Sequence, residues 1–196
     1  MSNEVTEKAK SNRRKFLLLL VLMCAPIIVS YALYFMDYRP ESKHYGELIP
    51  IVKVSGKATN ITDNTILRMK DLHGKWVLVT VDSGECDEAC KKKLYFMKQV
   101  RTVQNKEKHR IERLWLINNA VKPDAELMKE YEGTYFANAA DGEVLDFIDT
   151  NKVEQTKHIY LIDPIGNLMM RFPENVDGTK MGHDIKRLLH VSQLEH

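Results

Sequence analysis

The sequence predicts an α/β fold behind one N-terminal transmembrane helix. Three observations predict it. An uncharged apolar run opens the chain, a nearly continuous apolar strand leads straight into an amphipathic helix, and strand-like and helix-like segments then alternate to the C-terminus. The chain has 196 residues, a formal charge of +2 and 44% hydrophobic residues, which bounds it at one ordinary domain plus an appendage.

The appendage is FLLLLVLMCAPIIVSYALYFM, residues 16–36. Its 21 uncharged residues would make about 31 Å of helix, enough to cross a hydrocarbon core. Pro26 predicts a kink of the kind membrane helices tolerate. Tyr31, Tyr34, Phe35 and Tyr38 cluster at the far end, where aromatic rings favour the interface. The preceding arm, residues 1–15, carries Lys8, Lys10, Arg13, Arg14 and Lys15 against Glu4 and Glu7. That bias predicts a cytoplasmic N-terminus in a bacterial inner membrane and a periplasmic remainder. A cleaved signal peptide is the competing reading, with Ser30 and Ala32 as a weak small-x-small site, but the apolar run continues past it. Cys24 follows bulky VLM, which argues against a lipidation site. Beyond the span 24 basic residues face 25 acidic ones, so no basic excess points to nucleic acid.

A polar tether is expected over 37–46 and the domain over 47–196, with length for one good core. Residues 48–54, LIPIVKV, form a short β-like run. Residues 75–82, KWVLVTVD, form a stronger one, suited to a buried central strand. From Asp87 to about Lys106 the pattern turns helical, with Ala89, Leu94, Met97, Val100 and Val103 at three- and four-residue steps. IERLWLINN (111–119) is the next strand, and Pro123 with Asp124 starts a helix over 123–131. TYFAN (134–138) reads as a weak strand and GEVLDFI (142–148) as a short helix. HIYLIDP and NLMMRFP flank the turn DPIG as a hairpin, and 179–191 closes the chain as an amphipathic helix. A strand feeding a Cys-bearing helix, then βα, a hairpin and a final helix, is the order of a thioredoxin-like fold.

The Cys-bearing stretch is GECDEACKKKL (84–94). Cys86 and Cys90 are one helical turn apart at a loop-to-helix junction, in an oxidising compartment. Free backbone N–H groups and the helix dipole favour thiolate there, and Lys91, Lys92 and Lys93 add to it, while Glu85, Asp87 and Glu88 oppose it. Three uses stand open: a structural disulfide, which closes too short a loop to stabilise much; a dithiol for exchange; and a soft Cu(I) site wanting a third, imidazole ligand. For exchange, Cys86 is expected to be the more exposed and to attack, with Cys90 resolving. Of the other candidates, His183 is expected to face solvent, and one of Met169 and Met170 to pack in the core. Trp76 and Trp115 read as core, while His44 and His196 fall in the tether and at the terminus.

GKWVLVTVDSGECDEAC and IYLIDPIGNLMMRF resemble the two signature stretches of the Sco/SenC family, and the resemblance runs over about residues 48–189. It implies a membrane-anchored, thioredoxin-like assembly factor for the copper centre of cytochrome c oxidase, with the oxidase subunit carrying that centre as partner. It also implies that Cys86 and Cys90 act as Cu(I) ligands, as a redox pair, or as both in turn. One departure stands out. The position of the family's copper-binding histidine is Gln155 here, and the nearest histidine is His158, three residues on. His158 is the candidate third ligand, yet a shift by an odd number of residues along a strand reverses the face presented. A general periplasmic thiol–disulfide reductase of the cytochrome c maturation type and a non-catalytic oxidase assembly factor are the alternatives.

Overall fold

The computed structural model describes residues 2–35, 44–140, 144–148 and 155–192. Tether residues 37–43, residues 142–143 of the expected short helix and His196 lie outside that set. The chain divides into two compact units, Met1–Lys43 and His44–His196. In the first, helix α1 runs Ser2–Phe35 and continues through Pro26. Among the described residues no helix is long and apolar enough to cross a membrane.

The second unit is built on one eight-stranded sheet. Its strands are β1 (Glu47–Lys53), β2 (Lys57–Asn60), β3 (Ile66–Arg68), β4 (Trp76–Asp82), β5 (Ile111–Ile117), β6 (Tyr135–Asn138), β7 (Ile159–Ile162) and β8 (Asn167–Phe172). They lie in the order β1-β8-β7-β4-β5-β6-β2-β3. β5 pairs parallel with β4 and with β6, and β7 pairs antiparallel with β4. Helices α2 (Glu88–Val103), α3 (Ala125–Glu130) and α4 (Gly178–Val191) complete the unit.

β4 is apolar on both faces because both are covered. Trp76 and Leu78 pack with Met97 and Val100 of α2 and with Met181 and Ile185 of α4. Val77, Val79 and Val81 pack on the opposite side with Met69, Leu72, Val144 and Ile148. Each such side chain is buried, which contributes about 1.5–3 kcal/mol. This is the continuous apolar strand the sequence predicts, and it places the cysteine loop at the end of a strand covered on both faces.

The helical pattern over 87–106 resolves into α2 and a following 3-10 turn, Asn105–Arg110. The inward stripe of α2 is Cys90, Lys93, Leu94, Met97 and Val100. Ala89 and Val103, expected inside, are exposed, and a lysine is buried instead. The 142–148 segment holds only a 3-10 turn, Leu145–Phe147, among its described residues. The hairpin at 163–166 forms as expected. The Asp163 carboxylate accepts from the backbone N–H groups of Ile165 and Asn167 and from the Asn167 side chain, and Gly166 takes φ +90°. The β2–β3 hairpin was not foreseen, because each strand is short and buries one apolar residue, Ala58 or Leu67.

The folded unit begins three residues before the expected boundary. The Asp184 carboxylate on α4 accepts from the Gly46 N–H at 2.8 Å and lies 4.0 Å from the His44 ring. The Tyr45 hydroxyl donates to the Asn175 carbonyl at 3.0 Å and accepts from the Asp177 N–H at 2.8 Å. Asp184 is 5% exposed, so its loss strands a buried donor. Asp184→Ala should cost about 1–3 kcal/mol, read by urea unfolding of the full chain in mild detergent. An unchanged midpoint would mean that water takes over the Gly46 N–H.

Candidate functional site

The site forms where β4 becomes α2. Asp82 ends the strand, Ser83–Glu85 turn the chain, Cys86 follows and Asp87 caps the helix. The Asp87 carboxylate accepts from the Cys90 N–H at 2.9 Å, the N-cap bond that fixes where the first turn starts. Gly84 is required by a close approach: a Cβ there would sit 1.9 Å from the Val121 carbonyl oxygen. Asn119, just past β5, holds the loop from outside. Its side-chain oxygen accepts from the Gly84 N–H at 3.0 Å, and its amide donates to Glu85 at 2.8 Å. That bond holds the exposed Glu85 carboxyl below its ordinary range. Sequence reading passed over Asn119, although an NN pair ending a strand is a visible loop signal.

Cys86 and Cys90 are joined in a disulfide with Cα atoms 5.1 Å apart. Cys86 has φ +48°, in the left-handed region, and its side chain turns inward. Both cysteines join Leu94, Trp115, Ile117, Tyr131 and Phe136 in one apolar cluster. Cys86 is 2% exposed and Cys90 0%, so the expected difference in exposure is absent from this oxidised chain. What distinguishes them is position: Cys86 precedes the cap, and Cys90 lies within the first turn.

The lysines after the pair are largely spoken for. Lys91 pairs with Glu88 at 2.9 Å on the surface. Lys93 is buried, forms an ion pair with Asp82 at 2.5 Å and donates to the Thr156 carbonyl. Burial pushes the Asp82 carboxyl up from its ordinary value, and Lys93 opposes the shift. This pair is the main site feature that sequence reading missed.

The other candidates fall elsewhere. His158 stands just before β7 with Nδ1 2.8 Å from the Phe172 carbonyl oxygen and its ring edge-on to Tyr160. On the β1–β8 side, the hydrogen bond from Arg171 holds the exposed Glu47 carboxyl below its ordinary range. Gln155 is buried and donates to the Leu145 carbonyl at 2.9 Å. Among the described residues, no three His, Cys, Asp or Glu side chains converge to hold a metal. His183 is exposed, Met170 is core, and Trp76 and Trp115 are buried, as expected. Cys24 is a free, exposed cysteine on α1.

Two predictions follow from the Asp82–Lys93 pair. Removing either partner leaves a buried charge alone, so Asp82→Leu and Lys93→Met should each cost roughly 3–5 kcal/mol, and the double variant far less. Equal, additive losses in a denaturation cycle would show that the pair is not coupled. The pH effect has a definite sign. Between the ordinary carboxylate range and the raised value of Asp82, the folded chain keeps a proton that the unfolded chain has lost. Stability should therefore fall as pH rises through that window, and the double variant should lose this component.

No curated protein matches the sequence. Among solved structures, copper-bound yeast Sco1 is similar at 16% identity and TM-score 0.59, over 74% of this chain and 94% of that one. Copper-bound ScoI of Bradyrhizobium japonicum is 17% identical, with TM-score 0.54 over 69% and 98%. The thioredoxin domain of a thiol-disulfide oxidoreductase from Bacteroides vulgatus is 15% identical, with TM-score 0.51 over 74% and 96%. At such identities these likenesses establish the fold, which is thioredoxin-like and shared with Sco proteins. Residues 76–192, more than half of the chain, match the family model described as transmembrane-like, thioredoxin-like, C-terminal domain, and the chain belongs to that family.

Proposed function

We propose that the protein is a membrane-anchored thiol–disulfide factor of Sco/SenC type, facing the periplasm and serving assembly of the copper site of cytochrome c oxidase. The observation that carries the reading is the Cys86–Cys90 disulfide at the strand-to-helix junction of a thioredoxin-like fold. The uncharged residues 16–36 and the basic arm before them support the anchor. The signature stretches support the Sco/SenC assignment and the oxidase subunit as partner.

In the reduced protein the Cys86 thiolate attacks one sulfur of a partner disulfide, and the partner's other sulfur leaves as thiolate. The Cys90 thiolate then attacks Cys86 Sγ and displaces the partner's second thiolate. The partner gains two electrons, this chain ends as the Cys86–Cys90 disulfide, and an external dithiol must restore it. Asn119 and Asp87 hold the loop and helix start through this exchange.

Copper enters as cargo. The reduced pair offers two soft thiolates, which suit Cu(I). The third donor expected from the resemblance is not in place at Gln155, whose amide is turned to Leu145, and among the described residues His158 does not converge with the two cysteines to form a metal-holding group. Thiol exchange is therefore preferred over copper carriage.

Thiol trapping across glutathione buffers should give a single two-electron transition, absent from Cys86→Ser/Cys90→Ser. Two thiols that alkylate freely in oxidising buffer would refute the exchange reading. In anaerobic competition with a chromophoric Cu(I) chelator, His158→Ala should change affinity by less than tenfold, about 1.4 kcal/mol. A larger loss would restore a Cys–Cys–His copper site and the copper-delivery reading.

A further inference from the structure

A disulfide that exchanges must let a nucleophile approach one sulfur in line with the S–S bond. Here both cysteines are almost fully covered, at 2% and 0% exposure. Trp115 and Ile117 of β5 and Leu94 of α2 belong to the framework of the fold, so they cannot step aside. The cover that can move is α3. Its Leu127 and Met128 pack against the cluster that holds the cysteines. The helix has six residues, none of them fully buried, and it lies outside the sheet.

The hydrogen bonds that tie it to α2 sit at its C-terminal end. Lys98 on α2 donates to the Glu130 carbonyl at 2.8 Å, and the Tyr131 hydroxyl reaches the Lys91 carbonyl at 3.5 Å. Beyond these, the chain is fixed on either side. Asn119 accepts from the Asn138 side chain at 3.2 Å, and Arg113 donates to the Glu132 carbonyl at 2.7 Å. Between the first fixed point and α3, residues 120–122 and Asp124 are exposed and Pro123 is buried. A segment that is lightly packed and bounded by two fixed points belongs to the low-stability end of a fold, where local opening occurs without global unfolding.

We propose that α3 is a lid over the Cys86–Cys90 disulfide, and that exchange proceeds from a lid-open state. This rests on the exchange reading above, but its test uses a small phosphine and no partner protein. The phosphine attacks one sulfur and the S–S bond breaks. Water then supplies the oxygen that ends on phosphorus, and both sulfurs finish as thiols.

The experiment follows reduction of the full chain in mild detergent by excess tris(2-carboxyethyl)phosphine, with timed alkylation and mass analysis. Leu127→Ala/Met128→Ala should be reduced at least about tenfold faster than wild type, and Lys98→Met, which frees the end of the lid alone, about threefold faster. The oxidised-to-reduced ratio in glutathione buffer should stay near the wild-type value, because an easier opening speeds both directions. Equal rates in wild type and both variants would overturn the lid. So would a rate gain matched by an equal shift of the glutathione equilibrium, which reports a weakened oxidised fold instead. If the apolar double variant does not fold, Lys98→Met decides alone. Failure to reduce any partner disulfide, with these rate differences intact, would count against the exchange function and leave the lid standing.

Discussion

The constraint on which the site depends is the conversion of a strand into a helix within the five residues 83–87. β4 is sealed on both faces, so its end is fixed in space by the core. α2 must begin at once if its Leu94, Met97 and Val100 are to return over that strand. The turn is short enough to need a residue without a side chain at Gly84 and a left-handed backbone at Cys86. Asn119 supplies the outer wall because β5 runs parallel to β4 and ends beside it, with the Asn118 N–H donating to the Asp82 carbonyl at 3.0 Å. The parallel pairing thus brings the two loops together, and the cysteines are presented by their junction.

That junction carries less net positive charge than its lysines suggest. Lys93 is spent on Asp82 and on the Thr156 carbonyl, and Lys91 is held by Glu88. Asp87, which could have repelled a thiolate, gives its carboxylate to the Cys90 N–H. What remains to stabilise a thiolate is chiefly the start of α2 itself. The buried ion pair does a different job. By joining the end of β4 to α2 and to the chain before β7, it braces three segments that meet beneath the cysteines, and burial makes that brace sensitive to the loss of either partner.

How much of this was legible in the sequence follows from how strongly each residue's neighbours constrained it. β4, β5, α2 and the 163–166 hairpin were legible because apolar periodicity and turn chemistry act over a few adjacent residues. β2 and β3 were not, since one inward residue per strand leaves no period to read. The cysteine pair was visible from its spacing. Its burial was not, because the cover comes from Leu127, Met128, Tyr131 and Phe136, more than thirty residues later in the chain. In the sequence Lys93 is one of three lysines that add positive potential after the pair. Only the fold reveals that the helix stripe passes through it, at a position where a carboxylate from β4 is waiting.

The same distinction bears on copper and thiol chemistry. Two sulfurs at a helix start serve both, so the choice falls on what stands opposite them. An imidazole third ligand must bring a ring nitrogen to the sulfurs. At the position where the resemblance expects one, the chain places an amide, and Gln155 spends its N–H on Leu145. His158 comes three residues later, where the chain is about to enter β7. Its Nδ1 is tied to the Phe172 carbonyl at the end of β8, and among the described residues it does not converge with the two cysteines to form a metal-holding group. Exchange asks for less rearrangement. It needs no third donor, the disulfide already closes across one helical turn, and the obstacle left is the apolar cover of Leu127 and Met128. A displaced cover of that kind exposes apolar surface, which a partner presenting its own apolar residues beside a cysteine would in turn bury.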